Sequence, residues 1–319
     1  MSEGLIAGLG LVILLLAGDA LVRGAVNMSL RVGIPALIVS LTIVAFGTSA
    51  PELLIAISAI EDGAPGIALG NVVGSNTANV LLVLGVPAML SGLHTSECNT
   101  RKSYVFMILA TLLFIGLAFC GTLTWVSGLI LLGALTFVLL DSLREAHSHR
   151  KACNAAANDA DIGDLEGADP NMPWWRIIMF LLLGLIGLPL GADMLVDSAV
   201  VIATRFGVSE TVIGLTLIAV GTSLPELATT VMAALRKQAD VALGNVIGSN
   251  MFNLLAIMGI ASFVGPIPVD PAFLRFDLWV MLGASVLLLP FVFMRQDITR
   301  VWGAALTLLY ACYILVVLM

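Results

Sequence analysis

Glu52 and Glu226 each stand one residue after a proline inside a long apolar run, in the matching stretches GTSAPEL (from Gly47) and GTSLPEL (from Gly221). A charged side chain at the centre of a bilayer costs about 3 kcal/mol on insertion scales, so its default reading is functional. The oxygens around these acids indicate the chemistry. Thr48, Ser49 and Glu52 lie on one side of a helix, because residues three and four apart share a face, and Thr222, Ser223 and Glu226 repeat the set. On the next apolar run Asn71, Ser75 and Asn79 step by four, as do Asn245, Ser249 and Asn253. Pro51 cannot donate to the carbonyl of Gly47, nor Pro225 to that of Gly221, so each turn is loosened. Loosened backbone at membrane depth is tolerated where it lines a site, which adds the carbonyls near Ala45 and Ala219 to the candidate ligands. The set is all hard oxygen, which suits Ca2+ or Na+ rather than zinc, copper or iron. The two glutamates balance the charge of one Ca2+. The alternative is structural: two protonated glutamates hydrogen-bonded within helix packing.

The elements that must hold these residues are membrane helices. The 319-residue chain is 60% hydrophobic and 11% charged, and its mean hydropathy is +1.08. Soluble domains are nearer half apolar and a quarter charged. Ten apolar stretches are long enough to span a bilayer: about 4–22, 34–60, 67–91, 103–120, 124–143, 174–203, 211–235, 241–264, 277–294 and 300–318. The short alternating segments of a β-barrel are absent from the pattern. No basic region and cleavage site precede the first stretch, so a cleaved signal peptide is not expected.

Residues 19–85 align without a gap on 193–259, at an offset of 174, and 18 of the 39 positions from 47 to 85 are identical. The chain is therefore an internal duplication. The offset spans five helices, an odd number, so the second half must enter the membrane from the opposite side. Charge agrees: with the N-terminus outside, 12 of the 14 Lys and Arg residues fall at inner loops and helix ends, Arg205 and Arg275 being the exceptions. The expected fold is an all-α polytopic membrane protein of ten transmembrane helices, in two inverted-topology five-helix repeats at 1–143 and 174–319. Such repeats are typical of secondary transporters. Residues 144–173 read as a polar cytoplasmic linker. Within it NDADIGDLE has its glycine out of register for a calcium loop and lacks the position-12 glutamate. Asp19 and Asp193 lie towards helix ends and read as structural, and the three histidines read as solvated.

The paired motifs GTSAPEL…GNVVGSNTAN and GTSLPEL…GNVIGSNMFN resemble the two α-repeats of the calcium/cation antiporter superfamily, and among its branches the prokaryotic sodium/calcium exchangers. The resemblance implies a site between the second, third, seventh and eighth helices, with Glu52 and Glu226 as central carboxylates shared by Ca2+ and Na+. Thr48, Ser49, Ser75, Thr222, Ser223, Ser249 and the carbonyls of Ala45 and Ala219 would complete it. Asn79 and Asn253 fall where some members carry aspartate, so a third carboxylate is missing here. The implied activity is Ca2+/Na+ antiport by alternating access, with the first and sixth helices sliding on a core. Proton-coupled antiport is the alternative and a channel the more distant one. An enzyme is not expected, because the buried acids lack a nucleophile–base pair. No cofactor, nucleic acid or obligate protein partner is expected. The implied partners are Ca2+, Na+ and the lipid bilayer, in a multi-pass cell-membrane protein (inner or plasma membrane) with both termini outside and the central loop cytoplasmic.

Overall fold

A segment apolar on every side has only lipid or other helices to pack against, and in lipid its backbone must satisfy its own hydrogen bonds, which selects helix. The computed structural model describes residues 3–155, 169, 171–207 and 219–317, and helix dominates them. In chain order the helices are α1 (Glu3–Val32), α2 (Ala36–Thr48), α3 (Ala50–Glu61), α4 (Pro65–Ser91), α5 (Arg101–Ala118), α6 (Trp125–Ala155), α7 (Trp174–Arg205), α8 (Leu224–Leu235), α9 (Ala239–Val264), α10 (Pro271–Phe293) and α11 (Arg300–Val317). Among the described residues eight helices are long and apolar enough to cross a membrane, or nine when α2 and α3, bent by 41° at their junction, count as one span. The seventh expected span, 211–235, is described only from Ala219 onward, as a short turn Ala219–Gly221 followed by α8. The described helix α6 continues to Ala155, past the expected end of the first repeat at 143. The segment SLREAH at 142–147 is rich in good helix formers, and the chain has neither Gly nor Pro between Gly133 and Gly163. The acidic NDADIGDLE segment lies outside the described residues.

Burial sorts these helices into a core and a shell. In α9, 89% of the apolar window is buried and in α4 72%, against 17% in α11. The shell presents its apolar side chains outward at helical spacing, as Ile178, Leu182, Ile186 and Leu190 do along α7. Trp125, Trp174 and Trp302 stand at or beside the starts of α6, α7 and α11, where amphipathic rings suit the membrane interface.

The inversion is visible in how α1 meets its repeat equivalent α7. Gly24 lies against Leu181, Gly184 against Leu21, Gly187 against Ala17 and Gly191 against Leu14 and Gly10, so one index falls as the other rises and the helices run antiparallel. Repeat equivalents that run antiparallel have opposite orientations across the bundle. Small residues let the two backbones touch.

Symmetry is broken where this pair meets the rest. Gly18 of α1 lies against the backbone of Ala228 on α8, and Asp19 pairs with Arg23 at 2.9 Å and with Arg236 just beyond α8. The equivalent helices α7 and α3 form no comparable interface: Leu54, equivalent to Ala228, is 66% exposed, while Ala228 is buried. The structural reading of Asp19 is thus given a partner, a pair of guanidinium groups. His94 sits on the surface beside Asp297, 3.1 Å away.

The close approach sets a test. A Cβ on Gly191 would lie 2.8 Å from the Leu14 nitrogen and 2.9 Å from the Gly10 carbonyl, whereas one on Gly8 meets nothing within 4 Å. Gly191→Val should destabilise the protein by about 1–3 kcal/mol through overpacking. Gly8→Val should leave the thermal midpoint of the purified protein within a degree or two of the parent.

Candidate cation site

The two glutamates are placed by breaks in their helices. α2 ends at Thr48, Ser49 leaves helical geometry (φ −85°, ψ 5°), and α3 restarts with Pro51 in its first turn. Proline suits that place because the missing N–H has no intrahelical partner there. Ser223 repeats the break (φ −89°, ψ 4°), with Pro225 in the first turn of α8. Glu52 and Glu226 thus sit in the first turn of a new helix, where free N–H groups and the helix dipole favour negative charge. Both are 0% exposed.

The helices facing these breaks are α4 and α9. Each carries a π-helical turn at its centre, Asn79–Val83 and Phe252–Ile257, and α2 carries another at Ser40–Val44. Single π turns re-aim side chains inside long helices and concentrate at functional sites. Hydrogen bonds then join the halves reciprocally. The Thr48 hydroxyl reaches Asn245 Oδ1 at 3.4 Å, and its equivalent Thr222 reaches Asn71 Oδ1 at 3.4 Å. Asn76 Nδ2 donates to the Asn250 carbonyl at 3.1 Å, and Asn250 Nδ2 to the Asn76 carbonyl at 3.4 Å. Asn79 Nδ2 donates to Asn250 Oδ1 and Asn253 Nδ2 to Asn76 Oδ1, both at 3.0 Å. These pairs map onto each other under the offset of 174, so a pseudo-two-fold axis passes between α4 and α9.

Other bonds at the site depart from the symmetry. Ser49 Oγ donates to Glu226 Oε1 at 3.3 Å, whereas Ser223 Oγ, its equivalent, has no partner among the described residues. Asn245 Nδ2 donates to Thr230 Oγ1 at 3.1 Å and to the Glu226 carbonyl at 3.3 Å, whereas Asn71 has Ala56 at the position equivalent to Thr230, and its Nδ2 has no partner among the described residues.

The expected ligands divide into two groups. Thr48, Ser49, Thr222 and Ser249 are joined to neighbours by long hydrogen bonds of 3.3–3.4 Å, Thr48 reaching Ser249 Oγ as well as Asn245. Both oxygens of Glu52, Ser75 Oγ, Asn79 Oδ1, Ser223 Oγ, Glu226 Oε2 and Asn253 Oδ1 are buried without a hydrogen-bond partner among the described residues. Leaving such an atom unsatisfied costs about 1–3 kcal/mol, more when charged, and seven oxygens of this kind on α3, α4, α8, α9 and the α8 approach fit a hard cation. No group of three or more His, Cys, Asp and Glu occurs among the described residues, so negative charge here comes from the two glutamates. Ala45 differs from the sequence expectation: its carbonyl is not released, because it accepts from the Ser49 amide at 3.1 Å and from the Thr48 hydroxyl at 3.3 Å. The helical turn before the break survives because Pro51 removes only the bond to Gly47. Ala219 opens the described backbone of the second broken helix, two residues before Gly221. A cavity of about 820 Å³ lined by Ser29, Pro35, Leu93 and Gln238 lies elsewhere, away from both glutamates.

The family pattern described as "Sodium/calcium exchanger protein" matches residues 4–143 and 176–319, both halves of the chain. The chain belongs to that family. It is a family of transporters, not enzymes. CaxA of Alkalimonas amylolytica is 38% identical over 284 residues, which cover 88% of this chain and 86% of that one. The sodium/calcium exchanger MaX1 of Methanosarcina acetivorans is 33% identical over 345 aligned positions, covering 98% and 97%. The fold matches that of the sodium-calcium exchanger NCX_Mj, in a crystal soaked with Na+ and Sr2+, with a TM-score of 0.82, 30% identity and 98% of each chain covered.

Sequence reasoning did not single out Asn76 and Asn250. The signal was present, since GSN is identical in GNVVGSN and GNVIGSN and ends at these two residues. The π turns leave no such mark. The buried acids make a direct test. Glu52→Gln and Glu226→Gln each remove one of two carboxylates buried in the same core, so each variant should melt several degrees higher than the parent in cation-free buffer. The rise in melting temperature that Ca2+ gives the parent should shrink to near zero in both.

Proposed function

We propose that the protein is a secondary active antiporter that exchanges Ca2+ for Na+ at one site between α2–α3, α4, the Ala219–Leu235 segment and α9. Glu52 and Glu226 are its charged ligands. Thr48, Ser49, Ser75, Asn79, Thr222, Ser223, Ser249 and Asn253 supply neutral oxygens, and the carbonyls of Ala45 and Ala219 stand at its edge. Ala45 turns to a cation only by giving up the Thr48 bond. The observation that carries the reading is the set of seven unpartnered buried oxygens, four of them neutral, around a formal charge of −2 at the junction of two inverted repeats. A divalent cation is neutralised by both carboxylates together, and Na+ competes for the same oxygens, so occupancy by one excludes the other. Transport follows when the α1–α7 pair, now closed on α8 and apart from α3, moves to the mirrored arrangement and opens the site on the opposite side.

The test is Ca2+ flux in vesicles reconstituted with the full chain, under an imposed Na+ or H+ gradient, with K+ replaced by choline and the potential clamped. An outward Na+ gradient should drive Ca2+ uptake, and a pH gradient alone should not. Removing K+ should leave the rate unchanged, because Asn253 adds an oxygen without the negative charge that an additional buried cation needs. Uptake driven by protons and indifferent to Na+ would make the protein a proton-coupled antiporter.

In the orientation we propose, both termini face outward and the linker at 144–173 faces the cytoplasm of a multi-pass cell-membrane protein, following the placement of 12 of the 14 basic residues. A single cysteine replacing Asp62 in a Cys-free background should react with an impermeant thiol reagent applied to intact cells. One replacing Lys237 should react only after the cells are opened. Labelling of both from the same side would contradict this orientation.

A further inference from the structure

The four buried asparagines at the centre of α4 and α9 carry an inference that rests on the exchange reading and goes beyond its ligand set. A side-chain amide has an oxygen end and an N–H end, and only the oxygen end attracts a cation. What decides which end Asn79 and Asn253 present is the bonding around Asn76 and Asn250. The chain of constraint starts at two backbone carbonyls, which cannot flip. Asn76 Nδ2 is held by the Asn250 carbonyl (3.1 Å) and Asn250 Nδ2 by the Asn76 carbonyl (3.4 Å), with Met107 Sδ 3.8 Å away as a second soft acceptor for Asn250. That fixes the Oδ1 ends of Asn76 and Asn250. Those oxygens in turn accept Nδ2 of Asn253 and of Asn79, each at 3.0 Å. Reversing either outer amide would set oxygen against oxygen at 3.0 Å. The remaining ends, Asn79 Oδ1 and Asn253 Oδ1, are buried and unpartnered, one helical turn from Ser75 and Ser249 on the same faces.

We propose that Asn76 and Asn250 are positioning residues: each holds the asparagine of the opposite repeat (Asn253 and Asn79 respectively) so that the cation site receives a carbonyl oxygen and never an N–H. The same clasp explains why the two positions carry amides. A carboxylate has no N–H to give the oxygen of Asn76 or Asn250, so the clasp admits a neutral ligand and holds the site to two negative charges.

The pairing is crossed, and a merely structural role would not reproduce that cross. The concentrations of Ca2+ and of Na+ that give half-maximal thermal stabilisation are measured on the purified full-length protein, for Asn76→Ala alone and combined with Asn253→Ala or Asn79→Ala. Asn76→Ala should raise both concentrations about tenfold, by freeing one buried ligand to rotate, and should do the same in the Asn79→Ala background. In the Asn253→Ala background it should change neither by more than about twofold, since the group it orients is gone. Asn250→Ala should behave in mirror image, silent with Asn79→Ala and additive with Asn253→Ala, and either arm suffices if one variant does not fold. Equal effects in both backgrounds, no effect in the parent, or failure of both single variants to fold would overturn the proposal. A parent protein stabilised by neither ion would overturn the exchange reading along with it. Binding of both ions with a flat cycle would overturn the clasp alone.

Discussion

Burying two carboxylates is the constraint on which the rest of this structure depends. Glu52 and Glu226 are 0% exposed in a helix bundle that faces lipid, where an uncompensated charge is costly. One repeat alone supplies one carboxylate, half of what a divalent cation needs, so in the proposed site the two halves complete each other. Each half also prepares its acid in the same way. A break at Ser49 or Ser223 opens a fresh helix N-terminus, the following proline keeps the break from closing, and the glutamate takes the first turn. In the proposed site the neutral oxygens would complete coordination without altering the charge balance.

The hydrogen bonds divide into reciprocal and one-sided sets. The four-asparagine clasp and the Thr48–Asn245 and Thr222–Asn71 pairs are reciprocal, so exchanging the conformations of the two halves leaves them unchanged. The bonds of Ser49 to Glu226 and of Asn245 to Thr230 are one-sided, and so are the ion pairs at the end of α8. Asp19, Arg23 and Arg236 form an ion-pair cluster between α1 and the end of α8, while the equivalent positions hold Asp193, Asp197 and Asp62. In the mirrored arrangement three acids would meet where one acid and two cations now do. The sequence duplication is therefore faithful where the site must stay fixed and free to diverge where the two states must differ.

Much of this was legible from residue order. The offset of 174, the odd helix count between equivalents and the placement of basic residues gave the inverted architecture. The antiparallel α1–α7 contact and the chain-long match to a sodium-calcium exchanger fold agree with it. The candidate ligands were found because polar residues are conspicuous in apolar runs. What stayed hidden depends on three-dimensional registration. Asn76 and Asn250 are one residue out of the i, i+4 stripe of Asn71, Ser75 and Asn79 and its repeat, so a search for that stripe passes over them. They come into play because α4 and α9 approach at these residues, where each amide reaches the other's backbone carbonyl. The carbonyl of Ala45 was expected to be free because proline deletes a bond. Local geometry gave it to the Ser49 amide instead, a choice that spacing does not encode.

The moving parts follow from the kinds of contact made. α1 and α7 meet backbone to backbone at Gly10, Gly24, Gly184 and Gly191 over most of their length, and close-packed interfaces of that extent resist shear, so the two helices act as one body. Their hold on α8 is of another kind: Gly18 lies on Ala228, Ala228 and Leu224 share an apolar cluster with Leu14, Ala17 and Leu21, and one cluster of charged side chains closes the helix end. Small side chains interlock weakly, and a partly exposed ion pair can exchange its partner for water at modest cost. The seam between the paired helices and the core therefore has fewer backbone-to-backbone approaches than the α1–α7 pair itself. In the proposed exchange, a body moving along that seam would pass Glu226 on one side and Glu52 on the other while the asparagine clasp between them stays closed, offering one fixed pair of carboxylates to two compartments in turn.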